Sequence, residues 1–324
     1  MKKGILYAMI CAVVMLFQAP DAQASQARLS IATGGTAGVY FPIGGAMARA
    51  VSKAGNIQAT AESSNASVAN VNLLSKYEID IIFAQNDVTY WAYHGQNMFE
   101  KPVTSLRTIM TLFPEHIHWL VGRDSGINSM QDMKGKRVNV GAPGSGFEAD
   151  ARAMFRVAGM TFDDIRMSRL DAAGSGARFK DNQLDAAIFV TGYPAPVPMD
   201  VATSRPVTLI NFDQEFLDKL VKEYPFFTAS KIPGGIYAGI DHDTNTPAVM
   251  ALLVTHDRMS EEVIYNFLTN LFNNLPEVHA AHSKAQGITL ENALSGVSVA
   301  PLHPGAAKFF KGKGLPFPEG VSAK

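Results

Sequence analysis

Short apolar segments alternate along this chain with segments whose apolar residues recur at helical spacing, and that alternation places it in the α/β class. Leu29-Ser30-Ile31-Ala32, Ile57 to Ala61, Asp80 to Ala84 and Arg107 to Phe113 read as strands. After the first strand, Pro42 stands near the start of a helix with Ile43, Ala46, Met47, Ala50 and Val51 on one face. Val68, Val71, Asn72 and Leu74 mark a shorter helix after the second. His118 to Val121, Arg137 to Val140, Ile165 to Leu170 and Ala186 to Val190 supply further strands, with helices over Glu148 to Ala158 and Asp213 to Tyr224. The C-terminal third, including Val263 to Leu275, is mostly helical by spacing.

Near Pro114 the chain crosses from one unit into another, and Ile232-Pro233-Gly234-Gly235 reads as the return. The segment order predicts a first lobe from residues 25–114, a second from 115–230, and a return segment with C-terminal helices over 231–324. The chain has 324 residues and 47% hydrophobic content, enough for two domains of roughly 100–200 residues each. Such an interrupted arrangement leaves a cleft between the lobes, where small-molecule sites preferentially lie, and makes the crossings a hinge.

Lys2 and Lys3, an apolar run from Gly4 to Phe17 and the small-residue pattern Ala22-Gln23-Ala24 predict a signal peptide over residues 1–24. The run is shorter than the roughly 20 apolar residues a membrane span needs. Ile10 before the only cysteine, Cys11, does not suit lipoprotein processing. The mature chain therefore has no cysteine, no disulfide framework and no thiol chemistry, and a periplasmic, non-embedded protein is expected. Net charge is −1 and no basic block occurs, which excludes a nucleic-acid-binding surface. A charged ligand has to be caught by local chemistry.

Four polar loops, three of them bearing glycine, each follow a predicted strand: Thr33 to Tyr40, Glu62 to Ser67, Gly141 to Gly146, and Thr191 to Pro194. Ligands of α/β sheets bind beyond the carboxyl ends of the strands, and helix N-termini there offer unpaired N–H donors to an anion. Glycine also occupies such turns merely because it permits positive φ, so a single loop means little. Neither nucleotide-binding glycine motif fits, and no G-x-S-x-G elbow surrounds any serine. His116 with His118, and His279 with His282, lack further ligands for zinc. His303-Pro304-Gly305 suits a helix cap, and Asp241 to Thr246 lacks the glycine and glutamate of a calcium loop.

Those loops resemble the TAXI family, the solute-binding subunits of one branch of TRAP transporters. The best piece is Gly34 to Gly44, which follows the pattern Gly-Gly-Thr/Ser-x-Gly-x-Tyr-Tyr/Phe-Pro-x-Gly. Ser67 to Asn70, Ala84 to Val88, Lys134 to Gly146, Leu184 to Ala187, Gly192 to Pro194 and Pro301 to Ala306 continue it, so the resemblance runs from Ile31 to about Gly314. It departs at Phe147, where threonine is common, and at Asn86, where serine is.

The resemblance implies a two-lobed periplasmic binding protein of type II-like fold, two α/β domains joined by a hinge around a ligand cleft. It implies no enzymatic activity and no cofactor or metal. The ligand would be a small organic anion such as a dicarboxylate, keto acid, glutamate or another acidic amino acid, delivered to TRAP permease subunits. With the loops, it assigns ligand contacts to Thr36, Gly38, Tyr40, Ser67, Asn70 and Gln85 on the first lobe, and to Gly144, Ser145, Gly146, Gly192 and Tyr193 on the second. Arg169 is a further candidate. A receptor for an ABC importer or a sensor kinase would have the same fold, and a periplasmic hydrolase is the enzymatic alternative.

Overall fold

The computed structural model describes residues 26–318 and 321; the expected signal peptide, with Cys11, lies outside them. The first group of elements is β1 (Ala27–Ala32), α1 (Tyr40–Ser52), β2 (Ile57–Glu62), α2 (Ser67–Ser75), β3 (Ile81–Gln85) and α3 (Asn86–His94). A long strand, β4 (Leu106–Gly122), leads to β5 (Arg137–Asn139), α4 (Gly146–Val157), β6 (Arg166–Ser168), α5 (Ala172–Lys180), β7 (Ala186–Thr191) and α6 (Pro196–Ser204). β8 (Val207–Leu209), α7 (Gln214–Glu223) and β9 (Thr228–Ile232) follow, and a second long strand, β10 (Thr244–His256), returns. Helices α8 (Glu261–Asn273), α9 (Leu275–Ala281) and α10 (Pro304–Gly312) complete the described chain.

All ten strands join one sheet in the order β2-β1-β3-β10-β4-β7-β5-β6, with β8 on β4 and β9 on β10. Strands β1, β2 and β3 are parallel, as are β5, β6 and β7. The antiparallel pair β4 and β10 links the two groups. Its one end borders β3, from Thr255 opposite Ile81 to Ala251 opposite Gln85. Its other end borders β7, from His116 opposite Thr191 to Val121 opposite Ala186.

The sequence divides β4 into two strands around Pro114, and the structure joins them. Pro114 sits opposite Met250, close to a register shift in the β4–β10 ladder and just where β4 takes β7 as its neighbour. Proline in a strand is tolerated where the ladder is irregular. The C-terminal third is also not mostly helical from its start, because β10 precedes α8. Ile81 and Phe83 face one apolar cluster while Ile82 and Ala84 face another, and Leu253 and Leu252 of β10 divide the same way. A sheet covered on both faces has no polar alternation, so the run Val249 to Val254 carries no period-two signal.

The helices form where spacing and caps agree. Ile43, Met47, Ala50 and Val51 bury one stripe of α1. Asp213 caps α7, Ser260 caps α8, and His303 caps α10 by accepting from the Gly305 N–H, as its place before Pro304-Gly305 suggests. Among the described residues no helix is long and apolar enough to cross a membrane.

Candidate functional site

The parallel strands of both groups end toward one cavity of about 160 Å³. Loops after β1 and β2, with Gln85 at the end of β3, supply one side of it; loops after β5, β6 and β7 supply the other. Helices α1, α2, α4, α5 and α6 all begin at its edge.

Of the residues assigned from sequence, Thr36, Gly38, Tyr40, Ser67, Gln85, Ser145 and Gly146 line this cavity. Four others do not. Asn70 is fully buried beneath it: its amide donates to the Thr33 and Phe83 carbonyls at 2.7 and 2.8 Å, and its oxygen accepts from Ser64 Oγ at 2.6 Å. It ties the ends of β1 and β3 to the loop before α2. Gly144, with φ of 76°, turns its N–H to Glu148 Oε2 at 3.0 Å, and its carbonyl accepts from the Ala69 N–H at 3.0 Å. Gly192 and Tyr193 belong to a neighbouring cluster. A side chain at Gly192 would run into Lys284, whose ammonium lies 3.7 Å from the Tyr193 ring centre, and that ring packs on His116 at 4.6 Å.

The two groups of elements touch closely at the cavity floor. A Cβ at Gly146 would overlap the end of the Gln85 side chain, so any larger residue there requires Gln85 to move. Gln85 Nε2 donates to Asp150 Oδ2 at 2.8 Å, crossing from β3 to α4. Its backbone N–H donates to Ser67 Oγ at 3.2 Å. The Ser145 hydroxyl is already engaged: it donates to the Ala142 carbonyl at 2.7 Å and accepts the Glu148 N–H at 3.2 Å as the cap of α4. Arg169 pairs with Glu148 instead of reaching the cavity. Asn86 takes no part either, its oxygen accepting from the Met250 N–H at 2.9 Å.

Sequence reasoning missed the acids. Glu115, only 3% exposed, lines the cavity and accepts a 2.5 Å hydrogen bond from the Tyr40 hydroxyl. Fully buried Asp87 and Asp150 are its neighbours. None of the three makes an ion pair with the described residues. Burial pushes the Glu115 carboxyl up to about 8; the Tyr40 bond opposes this and the Asp87 charge adds to it. Burial likewise lifts Asp87 to about 7, and burial together with Asp87 holds Asp150 well above the carboxylate range. The signal available was Glu115, the one carboxylate in the strand Leu106–Gly122. Phe147, Phe189, Asp171, Ala172, Ala173 and Val197 also line the cavity unannounced.

His116 and His118 serve as structural hydrogen-bond partners. His118 Nε2 meets the Tyr237 hydroxyl at 2.8 Å and His116 Nε2 meets Ser230 Oγ at 3.0 Å. Burial lowers them to about 4 and about 3, so both are neutral at pH 7. Among the described residues no group of three His, Cys, Asp or Glu is placed to hold a metal ion.

The sequence pattern of the NMT1-like family matches residues 31–314. Among solved structures, MatC from Rhodopseudomonas palustris with bound malate superposes with a TM-score of 0.53 at 9% identity, over 80% of this chain and 88% of that one. The alkanesulfonate-binding protein SsuA from Xanthomonas axonopodis pv. citri, bound to MOPS, gives 0.48 at 14% identity, over 91% and 96%. The fold is the mixed α/β fold of two-lobed periplasmic binding proteins.

Proposed function

The chain belongs to the NMT1-like family, and from that premise we propose that it is a periplasmic solute receptor that captures a small organic anion between two lobes and passes it to a membrane permease. The observation that carries this reading is the cavity itself. Thr36, Tyr40, Ser67 and Gln85 reach it from one group of strands, and Ser145, Gly146 and Phe189 from the other. A ligand held from both sides favours the closed arrangement by its differential affinity, which is how such a receptor signals occupancy.

The lobes in this reading are residues 25–114 with 231–324, and residues 115–230. The paired strands β4 and β10 are the hinge. Thr36, Gly38, Tyr40, Ser67, Gln85, Ser145 and Gly146 contact the ligand, while Asn70, Gly144, Gly192 and Tyr193 position the loops around it. The loop motifs from Gly34 to Gly44 and Lys134 to Gly146 favour a TRAP-type permease of the TAXI branch as partner. An ABC importer or a sensor kinase uses the same fold, and the neighbouring gene discriminates: a large multi-span permease supports TRAP, an ATPase supports ABC. A hydrolase is disfavoured, since among the described residues no histidine lines the cavity and the Ser145 hydroxyl is engaged by its own loop.

A thermal-shift screen against amino acids, keto acids, dicarboxylates and monocarboxylates tests the reading. A ligand that binds only the folded state adds roughly 2.7 kcal/mol at a hundredfold excess over Kd. A sharp shift with one acid, recovered unaltered, supports the receptor. Conversion of the acid into another compound sinks it.

A further inference from the structure

The cavity's donors and its apolar surface lie in different places. Phe147, Phe189, Val190, Ala195 and Val197 form an apolar wall from the second strand group. Helix α6 opens there with Pro196 and Pro198, and those two residues have no N–H to offer. The first turns of α1 and α2 have no side-chain cap; Pro42 has no N–H and the Ala69 N–H goes to the Gly144 carbonyl, which leaves the N–H groups of Tyr40, Phe41, Ser67 and Val68 to face a ligand, and α4 opens opposite them. Glu115 reaches the same end of the cavity. One of its oxygens holds the Tyr40 hydroxyl, and the other carries no hydrogen bond to the described residues.

Among the described residues no lysine, arginine or histidine lines the cavity; its ionisable side chains besides Tyr40 are Glu115 and Asp171. One carboxylate can be held by backbone donors at helix N-termini. A second would lie against the apolar wall, and an unpaired buried charge is costly. The dicarboxylates suggested by resemblance therefore do not suit this lining.

Resting on the receptor reading, we propose that the ligand is a compact organic monoanion, with its single acid group against the N-termini of α1, α2 and α4 beside Glu115 and an apolar body against Phe147, Phe189 and Val197. Glu115 keeps its proton at neutral pH, so it serves the anion as an uncharged donor. An enclosed apolar cavity of about 150 Å³ accommodates benzene, so the volume of about 160 Å³ in this partly open site suits a compact ligand. An ammonium group on the ligand would instead make Glu115 a counter-ion, so an amine-bearing acid is one arm of the test.

Isothermal titration of the purified chain at pH 7 decides it, using 3-methylbutanoate and benzoate as monoanions, succinate and malate as dianions, leucine as zwitterion and 3-methylbutanamide as neutral isostere. The expected result is that a monoanion binds at least about tenfold tighter than every dianion, leucine and the amide. Tighter binding of a dianion or of leucine overturns the inference and leaves the receptor reading intact. Binding by none of the panel overturns it too, while the broad screen above decides the receptor reading separately. Ala173, exposed in the first turn of α5, gives a second test. Ala173→Arg supplies the missing cation at the rim and is expected to move the monoanion-to-dianion ratio at least about tenfold toward dianions. An unchanged ratio overturns the placement of the ligand.

Discussion

The Tyr40 hydroxyl donates to Glu115 across 2.5 Å, joining the first residue of α1 to the point in β4 where the strand changes neighbours. The two residues thereby fix the floor of the cavity to both strand groups. Tyr40→Phe leaves the buried Glu115 carboxyl without its donor. It is expected to cost about 1–3 kcal/mol of unfolding free energy, measurable by urea titration. A cost near zero would mean that water replaces the hydroxyl.

Stability is expected to fall as pH rises from about 4.5 to 8. The Glu115 carboxyl titrates at about 8 when folded against an ordinary 4.5, so within that window the folded state holds a proton that the unfolded chain has released. The contribution is complete below the ordinary value and is lost as pH passes the folded one. Asp87, raised to about 7, acts in the same direction over a lower window. Glu115→Gln, which keeps an acceptor for Tyr40, should flatten the profile of melting temperature between pH 5 and pH 9. An equally steep profile in that variant would assign the dependence elsewhere.

Gly146→Ala places a methyl group where the Gln85 side chain lies. The expected effect is on the meeting of the two strand groups and not on either alone: ligand affinity falls by about tenfold or more, roughly 1.4 kcal/mol, while the melting temperature without ligand changes little. Small-angle scattering with saturating ligand should then give a larger radius of gyration than the parent protein gives. Parental affinity in Gly146→Ala would mean that Gln85 swings aside at no cost.

Asn70→Ala removes the donor from the Thr33 and Phe83 carbonyls together. Because those groups stay buried, a stability loss of about 1–3 kcal/mol is expected, accompanied by weaker ligand binding. Full stability with weakened binding would restore Asn70 to the ligand's own contacts and remove the positioning role argued for it.

The strand-to-helix loops were legible because their chemistry is local. Thr36, Tyr40 and Ser145 stand in glycine-bearing turns whose positions follow from the strands before them, and each reaches the cavity. Glu115 was not legible, since its meaning depends on Tyr40, Asp87 and Asp150 arriving from three helices. Asn70 was legible as a candidate: its spacing on α2 places it near the loops, but only the fold aims its amide at the strand ends. Strand β10 hid for a different reason. It is covered on both faces, and a run of apolar residues then looks alike in helix and strand.

Strands β4 and β10 stay hydrogen-bonded to one another from Leu106 opposite His256 to His116 opposite Ala248, through the zone where β10 exchanges β3 for β9 and β4 gains β7. A two-stranded ribbon twists more readily than it bends within its own plane. In the proposed receptor the ribbon would serve as a torsion bar: one lobe would turn against the other by winding it, with no ladder bond broken. New chain ends cut at Pro114 would leave a single strand in the bar, turning a spring with a restoring torque into a strap that carries none.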